Sequence, residues 1–340
     1  MKYFLQAALT GAILLGGVSF LPAAAAEAPV PSAEAEAAAP QFRSESLGFS
    51  LTMTVNRLED QSHGKNLYRA YFPGSEMVMT VEVTPRRDLI GEAQLAQEQK
   101  ELKKSVEKIL EEQQVSHAKV REGKAGTLPA VIVDSRSGED SLTRYYIEGP
   151  HALYAVVFSC REKDFKYNRK EMEAIMDTFE TFLPVQTVAV PESSLHYELP
   201  AGMAVSSGNL PSVHSVLAMN RNLMSGVINK PLADSPYQFL PASLAGLTAE
   251  QKQAAEKGLR ETVENDPSLQ AVSAVSFTWG SFGSPAQEGV RMDYDDGDSH
   301  TENYLFVRDG QFISFAYVYP ASEKDNVRAV IDRSVSSITW

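Results

Sequence analysis

The residues best suited to chemistry stand in one short run, where Asp293, Asp295, Asp296 and Asp298 crowd around Gly297. Carboxylates gathered on a turn can wrap a hard divalent cation, because such ions take several oxygen ligands at once. The spacing departs from the EF-hand loop: counted from Asp293, the glycine falls fifth rather than sixth and no glutamate stands twelfth. An earlier stretch, 134–140, has the same layout with Arg136 in place of Asp295. The run therefore reads either as a cation site or as the solvated tip of a hairpin.

Other reactive residues are dispersed. The histidines at 63, 117, 151, 196, 214 and 300 form no i, i+4 pair on a predicted helix, so a histidine-based metal site would have to be assembled from distant loops. His63 beside Gly64 and His151 after Pro150 read as turn residues. The single cysteine, Cys160, excludes an internal disulfide and a thiolate zinc cluster. It shares an alternating face with Tyr154, Val156 and Phe158, which marks it as a buried structural thiol. Ser62 with Lys65 and Ser116 with Lys119 match Ser-x-x-Lys but lack the companion motifs of a hydrolase. There is no Gly-x-Ser-x-Gly, no Walker loop, no dinucleotide fingerprint and no His-Glu-x-x-His. No catalytic residue is assigned, no cofactor is expected, and the chain reads as a non-enzyme.

A loop over 231–247, with Tyr237 and Phe239 between Pro236 and Pro241, is the second place for binding. Long ordered loops often carry function, and these aromatics would either grip a ligand or partner or fold back over the core.

The elements that must hold these residues follow from length and period. The 340 residues are 43% hydrophobic and 22% charged, which suits globular domains rather than a disordered or multi-spanning chain. With 31 basic against 44 acidic side chains the net charge is -13, which disfavours a generic nucleic-acid or anionic-lipid binder. Lys2, the apolar run 4–21 and the small residues Ala24 and Ala26 read as a signal peptide over 1–26, and no cysteine stands there to accept a lipid. Residues 27–41, almost wholly Ala, Glu and Pro, read as a disordered linker. The expectation is a periplasmic or secreted protein of a bacterial envelope, with no integral span after cleavage.

From residue 42 the chain repeats itself. Ser46, Leu47, Phe49 and Leu51 match Ser194, Leu195, Tyr197 and Leu199, and the stretch 131–158 matches 290–317, pairing Asp134 with Asp293 and Tyr145 with Tyr304. Two domains are expected, 42–184 and 185–340. In the first, 67–72 and 77–84 form a hairpin, and Leu95, Leu102, Val106, Ile109 and Leu110 mark an amphipathic helix. Strands over 130–134, 142–147 and 153–160 follow, then a helix capped by Asn168 with Glu171 and carrying Met172, Ile175, Met176 and Phe179. The second copy has Thr248 with Gln251 capping a helix of Ala255, Leu259 and Val263, a turn at Asp309-Gly310, and a last helix opened by Ser322 with Asp325. Both faces of 153–160 and 311–319 are largely apolar, so each antiparallel sheet should be flanked by helices on both faces. The fold class is α+β, in two tandem domains.

This order of elements resembles the PsbP-like fold, which includes extrinsic photosystem subunits, a Ran-binding nuclear import factor and DcrB-like envelope proteins. The residues that carry the resemblance are Gly48-Phe49-Ser50-Leu51, Tyr145, Leu153-Tyr154-Ala155-Val156 and the helix from Met172 to Phe179. The resemblance spans both copies and implies a non-enzymatic accessory or docking role. The leading expectation is thus a binding module for a protein partner or envelope surface. A small-ligand or divalent-cation binder is the alternative, and an enzyme with a motif-free site stands third.

Overall fold

The structure, a computed structural model, describes residues 41–53, 57–60, 66–115, 117–210, 213–269 and 271–340. The expected leader, the expected linker up to residue 40, and His63 lie outside them. The described chain divides into two compact units at Pro184 and Val185, with Arg87–Leu89 counted in the second.

In the first unit, β1 (Gln41–Ser44) and β2 (Phe49–Thr52) pair antiparallel; Gln41, expected to end the linker, opens β1 instead. Then come β3 (Leu58–Asp60), β4 (Leu67–Phe72), β5 (Met77–Pro85) and α1 (Glu92–Glu112). The meander β6 (Lys119–Ala125), β7 (Leu128–Ser137), β8 (Asp140–Glu148) and β9 (Ala152–Arg161) follows, then α2 (Phe165–Asp177) and β10 (Glu180–Thr181). A seven-stranded antiparallel sheet has the order β3-β4-β5-β9-β8-β7-β6, and β1-β2-β10 form a small second sheet.

Leu102, Val106, Ile109 and Leu110 recur on one stripe of α1 and bury against Val131, Val133, Tyr146 and Ala155 on one face of the sheet. On the other face, Met172, Ile175 and Met176 of α2 join Phe49, Ile147, Val156 and Phe158. Each such side chain removed from water contributes about 1.5–3 kcal/mol, so the two stripes fix both helices to the sheet. α1 ends in a Schellman motif: Gln114 takes a φ of 54°, its N–H bonds to Glu111 O at 3.0 Å, and Val115 N–H bonds to Leu110 O at 3.0 Å. α2 begins three residues before the expected cap. Asn168 lies inside the helix, fully buried, and its Nδ2 donates to Ser75 O at 2.9 Å, so it ties α2 to the β4–β5 turn and caps nothing.

The second unit has β11 (Val185–Ala189), β12 (His196–Pro200), β13 (Ala204–Leu210), β14 (Val213–Met219), β15 (Met224–Pro231) and α3 (Ala249–Glu264). After α3 come β16 (Val272–Phe282), β17 (Gln287–Asp296), β18 (Ser299–Arg308), β19 (Gln311–Pro320) and α4 (Lys324–Ser336). Its seven-stranded sheet runs β13-β14-β15-β19-β18-β17-β16, the same order as in the first unit. β17, β19 and α4 have the bounds of β7, β9 and α2 displaced by 159 residues, and β18 starts at the same displacement from β8 and runs one residue longer. The expected box on α3 is present, with Gln251 N–H donating to Thr248 Oγ1 at 3.3 Å and Thr248 N–H to Gln251 Oε1 at 2.9 Å. Ser322 and Asp325 cap nothing: a short 3-10 turn, Ala321–Glu323, precedes α4, and Glu323 holds the cap position without a side-chain bond to the helix backbone. The architecture is α+β, with two seven-stranded antiparallel sheets and helices packed on them.

Candidate functional site

The alternation of β17 decides what the aspartates can do. Val290 and Met292 face α3, so Arg291, Asp293 and Asp295 face the opposite side, while Asp296 points with Met292. Asp296 Oδ1 accepts the Ala271 N–H at 2.8 Å, and Asp298 stands exposed at the turn beside Gly297, whose φ is 60°. The four expected ligands are therefore not brought together. Cross-strand pairing instead sets Asp293 against Glu302 and Asp295 against His300.

Around Glu302 the side chains converge. Asp293, His300 and Glu302 each offer a ligand atom within 4.8 Å of the others. Glu302, whose side chain is 1% exposed, receives the Tyr319 hydroxyl at 2.7 Å and Arg328 Nη1 at 2.7 Å on Oε1, and the Tyr304 hydroxyl at 3.1 Å on Oε2. Burial pushes this carboxyl up, but Tyr319 and Arg328 outweigh it and hold it below the usual range. Asp293 is 6% exposed; Arg291 Nε donates to its Oδ2 at 2.9 Å, and Oδ1 is closed from solvent without a hydrogen-bond partner. There burial dominates and raises the carboxyl. His300 Nδ1 lies 2.6 Å from Asp295 Oδ1. Arg328 also pairs with Asp332 one turn along α4, at 2.7 Å.

The same place in the first unit is simpler. Asp134 keeps the position of Asp293, but Thr143, Ser141 and Arg136 stand where Glu302, His300 and Asp295 stand. Thr143 Oγ1 donates to Asp134 Oδ1 at 2.9 Å. The i, i+4 pair of α4 is kept as Arg169 with Glu173, at 3.0 Å.

The first unit has its own buried charge. Glu148 is 0% exposed; Arg86 reaches it at 2.7 Å and Glu98 of α1 at 2.8 Å, while Arg86 Nε donates to Gly149 O at 2.9 Å. Burial pushes the Glu148 carboxyl up to about 7 against the pull of Arg86. This group ties the end of β5 to α1 and β8.

On the α3 face of the second sheet, α3 covers the half made by Val290, Met292, Leu305 and Val307 and leaves the β14–β15 half open. Leu217, Met219, Met224 and Ile228 are 42%, 43%, 38% and 40% exposed. Register places Met219 opposite Met224, Leu217 opposite Gly226 and Ile228 opposite Ser215, so all four share one face. The sequence pattern missed this face because β13 and β14 mix small and apolar residues without clean alternation. In the first unit the places of Leu217, Met219, Met224 and Ile228 are held by Arg69, Tyr71, Val78 and Glu82.

The loop aromatics part company. Tyr237 stacks on Phe312, ring centroids 4.7 Å apart, and packs against the α3-side core. Phe239 stays 45% exposed and lies over Gly258 of α3, where any Cβ would meet its ring at 2.4 Å. Cys160 is buried in the α2-side core, and burial raises its thiol.

No family model matches the chain, and no curated protein matches it by sequence. Among solved structures it is similar to the cyanobacterial PsbP (CyanoP) of Synechocystis, at 14% identity and a TM-score of 0.33, over 46% of this chain and 91% of that one. It is also similar to a crystal structure from Bacteroides thetaiotaomicron, at 12% identity and a TM-score of 0.32, over 81% of this chain and 88% of that one. No helix among the described residues is long and apolar enough to cross a membrane.

Proposed function

We propose that the chain is an exported, non-catalytic accessory protein built from two PsbP-like domains in tandem, and that its second domain docks a protein partner. One observation carries this reading: the open apolar half-face of Leu217, Met219, Met224 and Ile228. Large apolar side chains grouped on one sheet face, rather than scattered singly, mark an interaction surface. The contrast within the chain supports it, because Arg69 and Glu82 hold in the first unit the places that Leu217 and Ile228 hold in the second.

The neighbouring edge fits the same partner. β13 is an outer strand, and no charged residue or proline occurs from Ala204 through Leu210. Edges that must stay unpaired usually carry charge; the corresponding strand β3 is three residues long and includes Glu59 and Asp60. A partner that lays a strand along β13 would bury its alternate side chains across the small Ala204 and Ser206, toward Met219 and Leu217. Export rests on the pattern of residues 1–26.

The test places a photo-crosslinking residue at 217 in one variant and at Lys100, on α1, in another, in cells of the native host. The expected result is one adduct of fixed mass from position 217, absent from position 100 and reduced at least tenfold by Ile228→Glu. Equal adducts at both positions, or none at 217, would overturn the docking reading. A mature protein that retains residues 1–26 would overturn the export reading.

A further inference from the structure

We infer that Asp293, Glu302 and His300 form a binding site for one divalent transition-metal ion, of the zinc or manganese class, on the α4 face of the second sheet. A mixed nitrogen and carboxylate set selects such ions over calcium and magnesium, which prefer oxygen alone.

Each of the three side chains has one atom gripped by a neighbour and a second atom less engaged. Arg291 takes Asp293 Oδ2, so Oδ1 is left buried and unpartnered. Arg328 and Tyr319 take Glu302 Oε1, while Oε2 receives the longer bond from Tyr304 and a 3.9 Å contact from Arg291 Nη1. Asp295 takes His300 Nδ1, which leaves Nε2 as the coordinating nitrogen. Groups that grip the outer atoms of ligands in this way are how metal sites orient their inner ones, and a carboxylate behind a histidine is the commonest of them.

Charge points the same way. Asp293, Asp295, Glu302 and Asp332 face two guanidiniums, those of Arg291 and Arg328, so the ionised cluster carries two uncompensated negative charges. One divalent ion neutralises them. The arginines limit affinity: Arg328 lies on Glu302 Oε1, whereas Arg291, held on Asp293 Oδ2, also comes within 3.9 Å of Glu302 Oε2 and would have to give way to an ion there. Ligands about 2.0–2.1 Å from one tetrahedral ion stand roughly 3.3 Å apart, so side chains now within 4.8 Å must close by about 1.5 Å at most. His300, with Asp295 behind it, is the least buried of the three and has the most room to close.

Zinc chloride and manganese chloride are titrated into the tag-free, full-length protein and followed by calorimetry. The expected result is one ion per chain for at least one metal, with calcium and magnesium at least tenfold weaker. His300→Gln and Asp293→Asn should each weaken that ion at least tenfold. Asp295→Asn, which removes the carboxylate behind the histidine and one of the two uncompensated charges, should weaken it about 10- to 100-fold. Circular dichroism checks that the variants fold, and X-ray absorption at the metal edge should show a single imidazole among oxygen ligands. Glu302 also anchors α4 through Arg328 and is left unchanged for that reason. No saturable binding, equal binding of calcium, or full retention in both His300→Gln and Asp293→Asn overturns the site.

Discussion

Glu148 sets a pH dependence that belongs to one side chain. Its carboxyl is fully buried and lifted to about 7, above the ordinary value of 4.5, because burial disfavours the charged form more than Arg86 restores it. The folded state therefore holds this proton more tightly than the unfolded chain does. The resulting stability is complete below about pH 4.5, declines as pH rises through 7 and is flat above it, a change of up to about 3 kcal/mol. Arg86→Met should accordingly be costly where Glu148 is charged and cheap where it is neutral. Urea unfolding should show a loss of about 3–5 kcal/mol at pH 8 and a much smaller one at pH 5. An equal loss at both values would mean that Arg86 matters through Glu98 and the Gly149 carbonyl instead.

At the scale of elements, the strongly periodic pieces are legible in the sequence. The stripe of α1, the box on α3 and the meander over 130–160 were legible because one residue type per position suffices to mark a buried face. Asn168 misled because a buried amide inside a helix has the same composition as a cap, and only its bond to Ser75 O separates the two. The aspartate run misled for a related reason: neighbours along a strand point to opposite faces, so closeness in sequence placed Asp296 away from Asp293. Glu302 and His300 were not legible as its companions, since cross-strand register is not written in either strand alone. The end of α1 gives an element-scale prediction. Gln114 sits in the left-handed region at φ 54°, a conformation that costs a side chain about 1–2 kcal/mol and glycine little. Gln114→Gly should keep both Schellman bonds and raise stability by about 1 kcal/mol, read as a higher urea midpoint at unchanged slope. A lower midpoint would show that the glutamine side chain does more than occupy the turn.

For the whole molecule, the order of strands is the same in two sheets whose surfaces differ. Each sheet has its own buried residues, Phe158 in the first unit and Phe315 in the second, both without solvent exposure. What varies is what lies on the sheet: in the first unit charge at Arg69 and Glu82, in the second an apolar half-face and a convergent acidic group. With docking and metal binding both proposed for the second unit, the first is left as scaffold. Scanning calorimetry should therefore resolve two unfolding steps. Phe158→Ala, which empties one core at a cost of about 3–5 kcal/mol, should lower one of them, and Phe315→Ala should lower the other. Saturating metal should raise only the step that Phe315→Ala lowers, because a ligand stabilises the unit that binds it. A single transition moved equally by both substitutions would mean that the units unfold as one, and the binding role could then not be assigned to the second alone.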